Sequence, residues 1–372
     1  MIYLDHNATT RPAPEVVETI ARVSVEAFAN PGSQHRLGRA ARRILEQSRE
    51  SIANILGAEP DEILFTSGGT ESINLALLGL ARGTGTLLTG PGEHPATRST
   101  AGLLAQRGWR WEEFSVDGQG RLQEPDRPLE DCRNARIVSC LLAHNETGVL
   151  QDLPPLIARC NAAGIPTHVD AVQAVGKIPV SFRDLGATAL SFGAHKFHGP
   201  RGVGGLIVRR GVNLAPLHTG GHQESGRRPG TEPVALIAGM ARALALWHEN
   251  QTARIAAMRN ARDRLERELA RLCPPVHIHG ENAPRLPNTA SIAFPGLNGE
   301  ALLVALDLEG IACSLGSTCA SGSAEPAPIL LAMGVPRELA LATVRFSVGG
   351  ETTELEIQEA ARRISSVVAR MR

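Results

Sequence analysis

The chain has 372 residues, with 38 basic and 38 acidic side chains and a formal net charge of zero. That balance excludes the basic surface expected of a nucleic-acid binder, and it excludes an acidic tail. A chain this long exceeds what one core usually holds, so two domains are expected.

Apolar positions at Leu37, Ile44, Leu45, Ile52, Ile55 and Leu56 predict a helix ending near Gly57. A strand follows over 62–66. The turn Ser67-Gly68-Gly69 then leads into a helix over about 70–81. Short apolar strands are predicted at 86–89, 136–143, 166–170, 187–192 and 205–208, with a helix over 153–163. After Thr231 come two helical patterns, 232–249 and 252–272. A second unit follows: a strand at 289–294, a helix at 299–308 and a strand at 343–346. The last helix opens with the capping pair Thr353 and Glu356 and carries a stripe of Ile357, Ala361, Ile364, Val368 and Met371. Buried strands alternating with helices predict an α/β fold whose sheet is mainly parallel and flanked by helices. The expected division is a large domain at 13–250 and a smaller α+β domain formed by 1–12 and 251–372.

Aromatics make up only 3% of the residues, so Leu, Ile, Val and Ala must build the core. The six cysteines include no Cys-x-x-Cys pair, and a chain of this length needs no disulfide staples. The amino terminus has no basic stretch followed by an apolar one. No apolar run nears the roughly 20 residues of a membrane span. These features predict a reducing, cytoplasmic setting.

There are 36 arginines but only two lysines, Lys177 and Lys196. Arginine cannot lose its proton and attack a carbonyl; lysine can. Lys196 follows a predicted strand, a suitable place for a Schiff-base lysine. Lys177 has no expected chemistry beyond composition.

The loops after the strands carry the remaining chemistry, because ligands in open α/β sheets bind at the strands' carboxyl ends. Ser67-Gly68-Gly69-Thr70 before a helix suits an anion, and Gly69 and Thr70 form a candidate phosphate cradle. Asp170 ends an apolar strand and is costly there unless a cation, such as a protonated pyridine nitrogen, meets it. Gln173 and Asn145 are candidate donors to a ring oxygen. His94 is a candidate to stack on the ring or move protons. Taken singly, a turn, a helix cap or a structural histidine explains each of them. Together they are the set that pyridoxal 5'-phosphate needs.

With Tyr3-Leu4-Asp5-His6-Asn7-Ala8-Thr9-Thr10, Glu93-His94-Pro95, His168-Val169-Asp170-Ala171-Val172-Gln173, Gly199-Pro200-Arg201-Gly202, Gly226-Arg227-Arg228-Pro229-Gly230-Thr231 and Arg345-Phe346-Ser347, the chain resembles the cysteine desulfurases of the NifS/IscS type. These are class V aminotransferases with the fold-type-I architecture of pyridoxal-phosphate enzymes. The resemblance spans essentially the whole chain. It implies that Lys196 holds the cofactor. Gly69, Thr70 and His195 would contact the phosphate, and Thr231 would reach it across a homodimer. Asn145 and Gln173 would meet the ring oxygen, Asp170 the ring nitrogen, and His94 the ring face. Arg345, with Asn145, would bind the substrate carboxylate. Cys319, in a small, polar, glycine-bracketed segment, would be the nucleophile that takes sulfur from L-cysteine, leaving alanine and a persulfide for an acceptor. That acceptor would be an iron–sulfur scaffold or a tRNA-thiolation carrier. No metal is expected. Cys132, Cys140, Cys160 and Cys273 read as buried hydrophobes and Cys313 as packing.

Some positions depart from the family pattern. Gly193 stands where a phosphate-binding Ser or Thr is usual, Leu315 and Thr318 alter the cysteine run, and Pro229 replaces a common Ser. A C-terminal scaffold-docking extension is not expected. Two other readings are a selenocysteine lyase or related class V lyase or transaminase, and a non-enzymatic sulfur-assembly scaffold. The Cys319 segment opposes a plain transaminase, and the presence of Lys196, Asp170 and Cys319 together opposes the scaffold.

Overall fold

The computed structural model describes residues 1–123, 134–315 and 325–372. Its larger sheet has seven strands in the spatial order Ile63–Thr66, Gly204–Val208, Ala189–Gly193, Thr167–Asp170, Ala135–Leu141, Thr86–Thr89 and Arg110–Glu113. Only Gly204–Val208 runs against its neighbours. The other six strands therefore point the same way, and their carboxyl ends share one edge. Most of these strands have only four or five residues and are buried along their whole length. Their stability comes from burial on both faces, worth about 1.5–3 kcal/mol per large apolar side chain. Leu64, Leu190 and Leu206 are fully buried in this way.

Helices form where the apolar stripe predicts them. Arg36–Leu56 ends at Gly57, whose φ of 65° closes the helix in the left-handed region. Gly69–Leu80 packs Ile73, Leu75 and Leu77 on the sheet. Its second turn is pinned by Ser72, whose hydroxyl donates to the Gly205 carbonyl at 3.0 Å. Thr353 and Glu356 form the expected reciprocal cap on the final helix, Glu354–Met371. Two elements carry no clear periodic signal: Pro95–Gln106 buries a narrow face, and the edge strand Arg110–Glu113 reads Arg-Trp-Glu-Glu. Pro14–Glu26 carries a helical stripe of Val16, Ile20 and Val23 that is absent from the elements predicted above.

A second, antiparallel sheet joins His277–Ile278, Thr289–Ala293, Thr343–Ser347 and Ser314–Leu315. Its core contains Ile292, Phe294, Phe346, Ile357 and Ile364, together with Ile2 and Leu4 from the amino terminus. The first strand, Ile2–Tyr3, pairs with Ile311–Ala312. The chain therefore begins in the second core and reaches the first at Asn7.

Candidate active site

Five loops at the shared sheet edge close around a cavity of about 240 Å³. Gly69, Thr70, His94, Asn145, Asp170, Gln173, His195 and Lys196 line it, along with Ile73, Leu141 and Val172. The register explains the convergence. Asp170 pairs with Leu141 on one side and Ser191 on the other, so the residues just beyond these strands lie side by side. The helix start at Gly69 is drawn against the next loop: a Cβ on Gly69 would lie 2.7 Å from Val172 Cγ2. Only glycine permits that approach.

Burial sets the electrostatics. Asp170 is 2% exposed and takes the Val172 N–H at 2.9 Å. Burial raises its pKa to about 6, against the opposing pull of that bond and of Lys196. Among the described residues it makes no ion pair. Burial first, then Arg345, lowers Lys196 to about 8. Its Nζ donates to the carbonyls of Asn7 and Ala8 at 2.7 and 2.8 Å. His94 caps the helix Pro95–Gln106 through Nδ1, which accepts the Ala96 N–H at 3.1 Å. That bond leaves the ring proton on Nε2. Burial, then Lys196, lowers His94 to about 4, so it is neutral at physiological pH. His195 is also lowered to about 4, burial again leading, and its Nδ1 lies 3.2 Å from Thr9 Oγ1.

Lys177 has a definite environment, contrary to the expectation from composition. It is 3% exposed, and its Nζ donates to Asn7 Oδ1 at 2.8 Å and to Gln173 Oε1. Burial drives its pKa well below the usual lysine value. With Oε1 engaged, the Gln173 amide is oriented, and Nε2 donates to the Asn7 carbonyl at 2.9 Å. Asn7 links both cores, because its Nδ2 also donates to Thr289 Oγ1 at 2.9 Å and its backbone N–H to Ser347 Oγ at 2.8 Å. Sequence reading missed Lys177 and Asn7 as parts of this network. The signal was the Asn7 motif, whose side chain has no visible partner in one dimension.

Arg345 stands behind the cavity wall. Its guanidinium pairs with Asp5 at 3.0 Å and Glu146 at 2.9 Å and donates to the Asn145 carbonyl. Among the described residues its Nε is buried with no partner, and so is Asn145 Oδ1. Thr231 is exposed and does not line the cavity within one chain. Cys319 and Cys132 lie outside the described residues. Cys140, Cys160 and Cys273 are buried as free thiols, and Cys313 packs against the second core. At Gly193 an added Cβ would meet Gly69 N at 3.4 Å and nothing closer, so a side chain fits there.

These features fit a phosphorylated pyridine. Among the described residues Asp170 is a buried acid in no ion pair and the Asn145 amide oxygen is unpartnered, and the free N–H groups of a twelve-residue helix start at the cavity wall.

The sequence profile of the aminotransferase class-V family matches residues 2–359. The cysteine desulfurase NifS of Azotobacter vinelandii is 41% identical over 379 residues, covering 100% of this chain and 93% of that protein. A solved NifS-like protein superposes with a TM-score of 0.90 at 35% identity, covering 99% of each chain. SspA in complex with cysteine superposes with a TM-score of 0.82 at 29% identity, covering 95% of this chain and 100% of that one.

Proposed function

The chain belongs to the aminotransferase class-V family and is a cysteine desulfurase, and from that premise we propose that its cavity binds pyridoxal 5'-phosphate and that Cys319 takes sulfur from L-cysteine. The observation that carries the cofactor reading is Lys196 and Asp170 facing one cavity beside a helix N-terminus. Bound there, pyridoxal phosphate supplies an aldehyde for amines and a protonated ring that accepts electron density from the substrate Cα.

The residues divide the work. Gly69, Thr70 and His195 hold the phosphate, with Thr231 contributed by a second copy in a homodimer. Asp170 meets the ring nitrogen as an ion pair, which offsets its own burial. Asn145 and Gln173 hold the ring oxygen, and His94 lies against the ring. Arg345 orients the substrate carboxylate through its unpartnered Nε–H, and Asn145 through its side-chain N–H.

Lys196 binds the cofactor and, once free, takes the proton from the substrate Cα. A pKa of about 8 leaves part of the amine neutral near pH 7. The carbonyls of Asn7 and Ala8 hold the free amine in place. Cys319 attacks the substrate sulfur as a thiolate. An S–S bond forms as the Cβ–S bond breaks, and the electron pair left on Cβ takes a proton to give alanine. The tautomer of His94, with Nδ1 engaged and the proton on Nε2, suits a hydrogen-bond donor more than a base for Cys319. The persulfide passes to the thiol of an acceptor in iron–sulfur cluster assembly or tRNA thiolation. The free thiols at Cys140, Cys160, Cys273 and Cys313 suit a reducing, cytoplasmic setting.

The test pairs two variants with the parent protein. With cysteine and a reductant, the parent releases sulfide and alanine in equal amounts. Cys319→Ala releases no sulfide, and Lys196→Ala shows no cofactor attached after borohydride. Sulfide from the first variant or trapped cofactor in the second overturns the corresponding assignment. A panel of cysteine against selenocysteine measures substrate preference.

A further inference from the structure

A second cluster lies outside the cavity. His6, His198 and Glu351 bring three ligand atoms within 4.8 Å of one another. They come from three separate segments: the amino-terminal strand exit, the loop two residues past Lys196, and the turn before the final helix. His6 is 5% exposed, and its Nδ1 is buried with no hydrogen-bond partner among the described residues. The Glu351 carboxylate lies 3.9 Å from that atom, too far for a hydrogen bond. On the other side, Glu351 is 3.7 Å from His198 Nε2. His198 Nδ1 lies 3.0 Å from the Arg11 carbonyl. A carbonyl can only accept, so that bond fixes the His198 proton on Nδ1 and turns the Nε2 lone pair toward Glu351. Metal-binding histidines are commonly oriented this way.

We propose that His6 Nδ1, His198 Nε2 and one oxygen of Glu351 form a site for a borderline divalent transition ion, with Zn²⁺ the first choice. Two imidazoles and a carboxylate suit zinc, and three protein ligands leave a fourth position for water. Tetrahedral zinc sets its donors about 3.4 Å apart. From separations of up to 4.8 Å, the donors must therefore contract by at most about 1.5 Å. Glu351 has the freedom to move, since its side chain is 58% exposed. The cleft beside the cluster is lined by Arg11, Arg254 and Glu15. The two arginines oppose a cation, so the Glu351 charge is required. The ion would fasten the loop that carries Lys196 to the second core, in addition to the link already made by Asn7. The sequence predicts no metal because the three ligands lie far apart along the chain.

The test uses the metal alone. Dialysed holoprotein is titrated with Co²⁺ and followed by visible absorption and by bound metal. The expected result is one Co²⁺ per chain, d–d bands without a sulfur charge-transfer band, displacement by Zn²⁺, and a higher Tm with Zn²⁺. Glu351→Gln weakens binding at least tenfold and abolishes the Zn²⁺ effect on Tm. Because that side chain is exposed, the variant folds, and its metal-free Tm checks this. His198→Gln weakens binding to the same degree. Unchanged binding in both variants, or a thiolate band locating the ion on cysteine, overturns the proposal.

Discussion

Lys177 carries an amine into the protein interior, where Asn7 Oδ1 and Gln173 Oε1 take its protons. It does not line the cavity, yet it orients a side chain that does. Lys177→Met keeps the length of the side chain but leaves Gln173 Oε1 without its donor, while Asn7 Oδ1 keeps only the Asn288 amide at 3.0 Å. The expected outcome is cofactor retention weakened about tenfold, near 1.4 kcal/mol, with borohydride trapping at Lys196 preserved. Dialysis followed by cofactor absorbance measures the first, and unchanged retention would refute the role. At this scale the sequence was most legible where chemistry restricts residue type. Lys196, Asp170 and His94 stand out as candidates because few other side chains can bond an aldehyde, face a cationic ring, or stack on a ring and move protons, whereas the helix cap made by His94 came only from the structure. Lys177 was not legible, because Asn7, which completes its hydrogen bonding with Gln173, is 170 residues away in the chain.

Among the elements, the loop that leads to Thr231 is anchored from two sides. Arg49 forms a double hydrogen bond with Glu224 at 2.9 and 2.8 Å and lies 4.5 Å from the centre of the Phe65 ring. Glu224 also accepts the Phe65 N–H, so the loop is fastened to the first strand of the large sheet. Arg228 pairs with Glu71 at 2.7 Å, one residue past Thr70 in the site helix. Glu224→Gln leaves the buried Arg49 guanidinium with Glu46, at 3.1 Å, as its one remaining carboxylate among the described residues, and should cost about 3 kcal/mol. Urea denaturation measures the loss. The double change Arg49→Met with Glu224→Leu should recover part of it, because the buried charge is gone. The element order was largely visible in the sequence: the helix 299–308 and the strand 86–89 were read to the residue. Pro95–Gln106 was not, since its Ala, Thr, Ser and Gly residues lack a contrast between faces. We propose that 13–250 and 1–12 with 251–372 behave as two domains, as the two separate cores suggest.

For the whole molecule, buried histidines dominate the response to acid. Burial lowers His6, His94, His144, His195 and His279 to about 4 and His168 to about 3. Below about pH 6.5 the unfolded chain takes protons that the folded one refuses, so stability is lost as pH falls toward about 4. Burial raises Glu93, Glu146 and Asp170 instead, and these acids favour the fold as pH falls. Six lowered imidazoles outnumber three raised acids. The urea midpoint should therefore drop steadily between about pH 6.5 and 4.5, and a flat or rising midpoint would refute this balance.

Legible in the sequence by itself were the alternation of strand and helix, the strand-end loops with their candidate residues, and Lys196 and Asp170 as a candidate lysine and acid for one site. These depend on local periodicity and on the reactivity of single side chains, both of which are present in a linear string. Tertiary structure alone decided that Lys196 rests on the carbonyls of Asn7 and Ala8, that Lys177 steers Gln173, that Arg345 sits behind Asn145, and that His6, His198 and Glu351 meet. Each of these joins segments more than a hundred residues apart or fixes which atom of a side chain is free, and only packing sets distance and tautomer.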